Sequence, residues 1–345
     1  MRVLVAMSGG VDSSVAAALL VAEGHKVVGA TMKLWGGAGD SGCCSVGDVE
    51  DARRVADQLG IDHRVFNFTD EFARDVVEPY VADHARARTP NPCVECNRAV
   101  KFGHLAARGR RLGFDAIATG HHARVTATGG RVTLRRGADR QKDQSYVLST
   151  LSARDLADVL MPIGDLTKPD VRALAARYGL RTAGKPDSQD VCFIASRSPG
   201  RGRSAFLSGR IALHEGRVVD AATGAELATL DAIELVTVGQ RRGLGVARGE
   251  RRYAVRVDVA SATVFAGSRD DLLTGGVAFS ARTWFDVPLP VGSPVRVQVS
   301  AHGPERSAIV SAEGIEFCRP EPRVAPGQIV ACYLGDTVVG SGVAG

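Results

Sequence analysis

Residues 2–7 (RVLVAM) form a short β-branched run, and an apolar helical stretch follows from about residue 11 to 22. The junction between them reads Ala6-Met7-Ser8-Gly9-Gly10-Val11-Asp12-Ser13-Ser14. A strand that passes through two glycines straight into a helix points to an α/β arrangement. Gly9 and Gly10 let the backbone turn sharply and bring N–H groups close to a ligand. Ser8, Ser13 and Ser14 add hydroxyl donors, and the helix N-terminus favours an anion. The segment reads as a phosphate cradle. It lacks the lysine of GxxxxGK[ST], which disfavours an ordinary P-loop ATPase. The bland alternative is a Gly-rich turn with Ser/Asp capping.

The alternation continues. Residues 26–32 (KVVGATM) read as a second strand, and Val49, Ala52, Val55, Ala56 and Leu59 fall at helical spacing ahead of Gly60. Residues 63–68 give a third strand, 97–112 a helix and 115–119 (DAIAT) a fourth strand, so a doubly wound parallel sheet is expected. Helices are expected near residues 152–160 and 169–178. Residues 196–203 (SRSPGRGR) read as a surface linker, and beyond it short alternating runs such as 253–259 and 294–299 suggest strands without helices. At roughly 100–200 residues per domain, 345 residues imply two or three domains. Boundaries near 200 and 270 divide the chain into an α/β domain (1–200), a small central β-rich domain (201–270) and a C-terminal β-barrel (271–345).

Composition excludes wholesale disorder: 45% of residues are hydrophobic and 23% charged. The excess of 43 basic over 38 acidic residues permits a nucleic-acid partner without requiring one. No apolar run spans a bilayer and residues 1–7 lack the length of a signal peptide, so a cytoplasmic protein without membrane contact is expected. Seven cysteines, odd in number and scattered, do not form a secreted disulfide framework.

Two cysteine segments carry polar, proline-marked surroundings. In Thr89-Pro90-Asn91-Pro92-Cys93-Val94-Glu95-Cys96-Asn97-Arg98 the prolines fix an exposed turn. Cys96 sits just ahead of the next helix, where Arg98, Lys101 and the helix N-terminus favour a nucleophilic thiolate. The C-x-x-C spacing also allows half of a zinc site or a dithiol redox pair. The other segment is Lys185-Pro186-Asp187-Ser188-Gln189-Asp190-Val191-Cys192-Phe193-Ile194. Cys318 and Cys332 lie in apolar β-type runs and read as core; Cys43 and Cys44 follow a Gly-rich loop and stay open.

SGGVDSS resembles the PP-loop of the ATP pyrophosphatases, which cleave ATP between the α- and β-phosphates and adenylate a carbonyl oxygen. Together with MKLW, TPNPCVECNRAVKFG, ATGHHAR, KDQSYVL, KPDSQDVCFI, VGQRRGLGV and APGQIVACY, it makes the chain similar to the bacterial tRNA-specific 2-thiouridylase family along nearly its whole length. That resemblance implies an enzyme that uses ATP with Mg²⁺ and a persulfide sulfur to make 2-thiouridine at the wobble position of lysine, glutamate and glutamine tRNAs. It implies that Cys192 carries the persulfide and Cys96 is the nucleophile, so that turnover ends in a Cys96–Cys192 disulfide reopened by a reductant. A route in which Cys96 releases hydrosulfide from Cys192 stays open beside it. A cysteine desulfurase or a sulfur-relay protein is the implied donor. By the same similarity Ala6, Met7, Ser8, Gly9, Gly10, Val11, Asp12, Ser13, Met32 and Gly120 meet ATP, with Asp12 a candidate Mg²⁺ ligand. Asn91, Pro92, Cys93, His121, Lys142, Asp143, Gln144, Ala301, His302 and Gln328 meet tRNA.

Two departures stand out. Many family members have Asp where this chain has Cys93, and the replacement leaves Cys93, Cys96 and Cys192 as three candidate ligands of a [4Fe-4S] cluster. Ala301-His302 replaces a basic–aromatic pair. The pairs Arg135-Arg136, Arg241-Arg242 and Arg251-Arg252 suit tRNA phosphates. Two other functions compete: an amide- or nitrile-forming pyrophosphatase, which needs an ammonia source, and a non-catalytic RNA-binding or metal-sensing protein, which has no use for an ATP loop.

Overall fold

The structure, a computed structural model, describes residues 1–35, 46–187, 191–194, 201–246 and 251–345. It divides into two compact units, one of residues 1–77, 92–195 and 336–338, the other of residues 78–91, 196–335 and 339–345.

The first unit is built on β1 (Arg2–Ala6), α1 (Val11–Ala22), β2 (Lys26–Lys33), α2 (Val46–Leu59) and β3 (Asp62–Asn67). After β3 come α3 (Thr69–Phe72), a π-helical turn at Ala73–Val77 and then α4 (Glu78–His84), which belongs to the second unit. A helical run follows: α5 (Pro92–Glu95), a π-helix at Cys96–Leu105 and α6 (Ala106–Arg111). The chain next forms β4 (Ala116–Thr119), the hairpin β5 (Ala123–Thr128) and β6 (Arg131–Arg136), then α7 (Ser145–Leu148), β7 (Val159–Leu160) and α8 (Lys168–Arg177). The five-stranded sheet runs β3-β2-β1-β4-β7 with every pairing parallel. Val3, Leu4 and Val5 have no exposed surface, as expected of a parallel strand covered on both faces. Val15, Ala16 and Ala17 of α1 and Val171 and Ala175 of α8 pack into the same core.

The doubly wound sheet expected from the alternation is therefore present. The chain builds β2 and β3 on one side of β1 and β4 on the other. The crevice beyond the carboxyl ends of β1 and β4 is the switch point of the topology, where open α/β sheets bind ligands.

In the second unit α9 (Arg201–Ser208) precedes β8 (Gly216–Asp220), β9 (Glu226–Leu230), β10 (Tyr253–Asp258) and β11 (Thr263–Gly267), which form a sheet in the order β10-β11-β8-β9. Val218, Ala254, Val264 and Ala266 are its core. Then β12 (Leu273–Trp284), β13 (Pro294–Gln298), β14 (Arg306–Val310), β15 (Gly314–Pro322), β16 (Ile329–Leu334) and β17 (Thr337–Ala344) make a barrel in the order β12-β15-β14-β13-β16-β17, closed by β12 pairing with β17. Val295, Val297, Ala308, Ile315 and Val330 fill it.

Four expectations are corrected. Residues 152–160 are not a helix: Ser152 and Asp155 cap a single turn, and β4 recruits Val159–Leu160 as an edge strand. The end of the presumed linker is helical, because Phe206 and Leu207 of α9 are buried. The helix expected from residue 97 begins at Pro92, so Cys96 lies a full turn inside it and Cys93 in its first turn. Cys318 is exposed, whereas Cys332 is 2% exposed with its thiol pushed up to about 12 by burial. Strand alternation explains the difference, since Ile315 and Phe317 face the barrel core and Cys318 faces out.

Candidate active site

The loop after β1 is held from three directions. Met7 donates its backbone N–H to Ala30 O, and Thr31 Oγ1 donates to Met7 O at 2.8 Å, which fixes the loop to β2. Ser13 Oγ lies 3.2 Å from Gly10 O and accepts from Ser8 N–H at 3.2 Å, while Ser14 Oγ donates to Gly10 O at 2.8 Å. Gly9 has φ +71°, and a Cβ there would stand 2.2 Å from the carbonyl oxygen of Asp48 in α2. Gly10 is the N-cap of α1 and offers no side chain to its first N–H groups. These donors stay directed at the crevice.

Gly120, one residue beyond β4, closes on the loop from the other side of the switch point. A Cβ on it would lie 2.5 Å from Ser13 N and 2.6 Å from the carbonyl carbon of Asp12. Met32, half-buried near the carboxyl end of β2, stands in register with Phe66 of β3.

Asp12, in the first turn of α1, anchors a charged network that the sequence does not announce. Lys168 Nζ lies 2.8 and 2.7 Å from its two carboxylate oxygens, and His122 Nε2 lies 3.3 Å from Oδ1. Burial works against the ionised carboxyl, yet His122 and Lys168 hold the Asp12 pKa below the ordinary value. Lys168 Nζ also reaches Asp187 Oδ1 at 2.9 Å, and Asp187 is shared with Lys142 at 2.8 Å and Arg172 at 3.0 Å. Those cations outweigh desolvation and push the Asp187 carboxyl far below its usual range. Lys185 Nζ spans Gly9 O at 3.0 Å, Asp48 at 2.7 Å and Asp51 at 2.7 Å, tying the loop to α2. Lys168, Arg172 and His122 were not singled out by sequence reasoning, and no spacing rule links positions so far apart.

Cys93 and Cys96 lie three apart, hence on one helix face, and both are partly buried thiols. Glu95 accepts from Arg98 at 3.0 and 2.6 Å, so that guanidinium is engaged beside them. Cys192 belongs to a separate stretch: Phe193 packs its ring 5.7 Å from Phe72 and 6.2 Å from Trp35. Val191, immediately before Cys192, has φ +56°, a conformation that a β-branched residue adopts only under constraint. Among the described residues no three His, Cys, Asp or Glu side chains are grouped to hold a metal ion. Residues 188–190, Cys43 and Cys44 lie outside the described residues.

The residues matched to tRNA contacts are scattered in character. His121 is 6% exposed, with Thr119 Oγ1 at 2.8 Å from Nδ1 and Lys101 Nζ at 3.5 Å from Nε2. Lysine only donates, so Nε2 accepts and Nδ1 carries the proton. Burial, with Lys101 nearby, pushes the His121 pKa well below 6.5. Asp143 is 8% exposed, and its oxygens accept from Arg136 Nη1, Gly137 N, Ser145 N and Ser145 Oγ. Arg136, at 4% exposure, therefore faces inward and not toward a phosphate. Gln144 Oε1 accepts from His122 N–H at 2.9 Å, and Lys142 extends outward from Asp187, half-exposed. Arg252 pairs with Asp220 at 3.0 Å, whereas Arg241, Arg242 and Arg251 are exposed.

In the second unit, Thr89 N–H donates to Pro326 O, which lays the backbone leading to half-buried Asn91 beside Gly327 and half-buried Gln328. Pro92, counted with the first unit, is buried. His302 is exposed on a turn whose Ser300 and Ala301 carbonyls accept from Gln298 Nε2 at 2.9 Å each.

Fold and loop together define a PP-loop protein of the ATP-using α/β class, followed by two β modules. Family models agree in extent: the tRNA methyl transferase HUP domain matches residues 1–196, the tRNA methyl transferase PRC-barrel domain residues 204–268 and the aminomethyltransferase beta-barrel domain residues 280–344. A tRNA-specific 2-thiouridylase, MnmA, of Mycolicibacterium paratuberculosis is 47% identical over 363 residues, covering 99% of this chain and 98% of its own. The protein of the same name from Mycobacterium tuberculosis H37Rv is 47% identical over 360 residues, covering 99% and 95%. The chain belongs to the tRNA-specific 2-thiouridylase family. Among solved structures, a 4-thiouridine synthetase–RNA complex with bound ATP aligns with TM-score 0.38 at 17% identity over 57% of this chain and 46% of its own, too loose a likeness to support an inference.

Proposed function

We propose that this protein is a tRNA uridine 2-sulfurtransferase that adenylates the C2 oxygen of the wobble uridine with ATP and replaces it by sulfur. The observation that carries this reading is the network at Asp12. The loop that suits ATP phosphates and the segment leading to Cys192 converge on one ammonium, Lys168, through Asp12 and Asp187.

The C2 oxygen of uridine is a poor leaving group. Its attack on the α-phosphorus forms an O–P bond, the bond to the β-phosphate breaks and pyrophosphate departs with the electron pair. The N–H groups of residues 9–13 at the α1 N-terminus stabilise the phosphate charge, and Gly9 and Gly120 let backbone approach it. Asp12 is the carboxylate that would hold Mg²⁺, which neutralises phosphate charge when bound with ATP. The terminal sulfur of a Cys192 persulfide then bonds to C2, and AMP leaves with the C–O pair. Attack of Cys96 on Cys192 Sγ breaks the S–S bond and leaves the pair on the transferred sulfur. The resulting disulfide takes two electrons from a thiol reductant. Cys93 occupies the place where many family members carry a carboxylate, so no carboxylate at this position does acid or base work beside the target uridine. Asn91, Pro92, Cys93, His121, Lys142, Asp143, Gln144, Ala301, His302 and Gln328 are assigned to tRNA. His121 and Asp143 act from buried positions, by shaping the surface rather than touching RNA. A three-part division at 200 and 270, a cytoplasmic setting and a desulfurase or relay donor complete the reading.

Cys96→Ser and Cys192→Ser are each expected to abolish 2-thiouridine and to leave ATP affinity unchanged. Nucleoside mass spectrometry of tRNA from a complemented deletion strain checks this, because sulfur exchange and methyl addition give different mass increments. Retention of 2-thiouridine by either variant, or a methylated nucleoside in its place, sinks the proposal.

A further inference from the structure

A triphosphate carries more negative charge than backbone donors offset, and this loop lacks the lysine that a Walker loop carries in its own sequence. The structure delivers one from 156 positions along the chain. Lys168 opens α8, and its side chain is only 9% exposed. Buried lysines are rare unless paired, and this one stands between Asp12 in the first turn of α1 and Asp187, as described above. His122, at 3% exposure, lies against the same Asp12 carboxylate, and its Nδ1 has no hydrogen-bond partner among the described residues. The other lysine at the loop is committed: all three Lys185 donors are spent on Gly9 O, Asp48 and Asp51. Lys168 instead holds both oxygens of a single carboxylate at the helix N-terminus. It can exchange that contact for a phosphate oxygen while Asp187 keeps it anchored.

We propose that Lys168 binds the β- and γ-phosphates of ATP and neutralises pyrophosphate as it leaves, with Asp187 as its positioning residue. This rests on the adenylation reading above. As the bond between the α-phosphorus and the bridging oxygen breaks, the electron pair stays on pyrophosphate beside the ammonium. Lys168 keeps its proton, and the N3 proton of uridine passes to water.

The test is calorimetric binding of ATP, pyrophosphate and AMP to the full chain without tRNA. Lys168→Gln is expected to weaken ATP and pyrophosphate about 10- to 100-fold and to leave AMP within about twofold, because only the first two carry the phosphates in question. Lys168→Arg, which keeps the charge, recovers most of the ATP affinity. Equal losses for AMP and ATP, or no loss for either, overturn the proposal. If Lys168→Gln melts at the working temperature, the wild-type chain decides. Its Lys168 side-chain NMR signal, identified by its absence in Lys168→Arg, must move with pyrophosphate and not with AMP; an unmoved signal overturns the proposal. Thiolation of tRNA by the wild-type protein is scored separately. A chain that binds pyrophosphate through Lys168 yet transfers no sulfur refutes the sulfurtransferase and leaves the phosphate site standing.

Discussion

Gly120 has no side chain because α1 leaves no room for one: the three atoms nearest to an added Cβ are all backbone, at 2.5 to 2.8 Å. Gly120→Ala must push the loop after β4 away from Ser13, at about 1–3 kcal/mol, and widen the crevice where phosphate binds. Urea unfolding and ATP titration should therefore both register the change, whereas a purely structural glycine would alter only the first. Gly9 is constrained twice, by its positive φ and by the Asp48 carbonyl. Both glycines were legible as parts of a phosphate-binding constellation, one from its place between strand and helix and the other from family resemblance. Their steric reason was not, because the atoms they admit belong to α1 and α2. The cysteines show the same limit. Alternation along β15 turns Cys318 outward, and an apolar neighbourhood in sequence does not reveal which of two faces a strand residue occupies.

At the scale of elements, α8 matters for where it starts. Thr167 accepts from Asp170 N–H and Asp170 accepts from Thr167 N–H, a capping box with Pro169 in the first turn. This fixes the backbone that carries Lys168 into the network. Thr167→Ala is expected to cost about 1 kcal/mol in urea unfolding and to weaken ATP binding less than Lys168→Gln does. An ATP loss as large as that of Lys168→Gln would show that the cap, not the ammonium, sets affinity. The helix bearing Cys93 and Cys96 starts five residues before its periodicity suggests. Pro90 and Pro92 favour a turn in sequence, but Pro92 is the first helical residue, where its missing N–H is no loss. Its π-helical stretch over Cys96–Leu105 has no signature in composition or periodicity, which do not distinguish backbone bonds to the fifth residue from bonds to the fourth.

For the whole molecule, each unit contains a buried neutral histidine. His84, 3% exposed in the second unit, is pushed down to about 4 by burial and by Arg203, and His121 in the first unit is also depressed. An unfolded histidine titrates near 6.5. Stability is therefore complete above about pH 6.5 and declines as pH falls toward 4, where the unfolded chain holds a proton that the native chain refuses. For His84 the loss reaches about 3 kcal/mol. Trp35 and Trp284 stand one in each unit, so replacing either by Phe leaves a single fluorescence reporter in the other unit. His84→Gln should flatten the pH dependence seen through Trp284 and leave that seen through Trp35; an unchanged Trp284 profile would assign the acid sensitivity to other groups.

Periodicity, the glycine-marked junction and the order of strands and helices determined the parallel sheet, the position of the phosphate loop and the β character of the second half. These depend on local sterics and on which residues shun water, and both are written in short stretches of chain. The tertiary structure alone decided which charges meet. Lys168, Asp187, His122 and Asp12 come from four separate segments, and the free energy that gathers them resides in the packing of α1 and α8 on the sheet, not in any spacing along the chain.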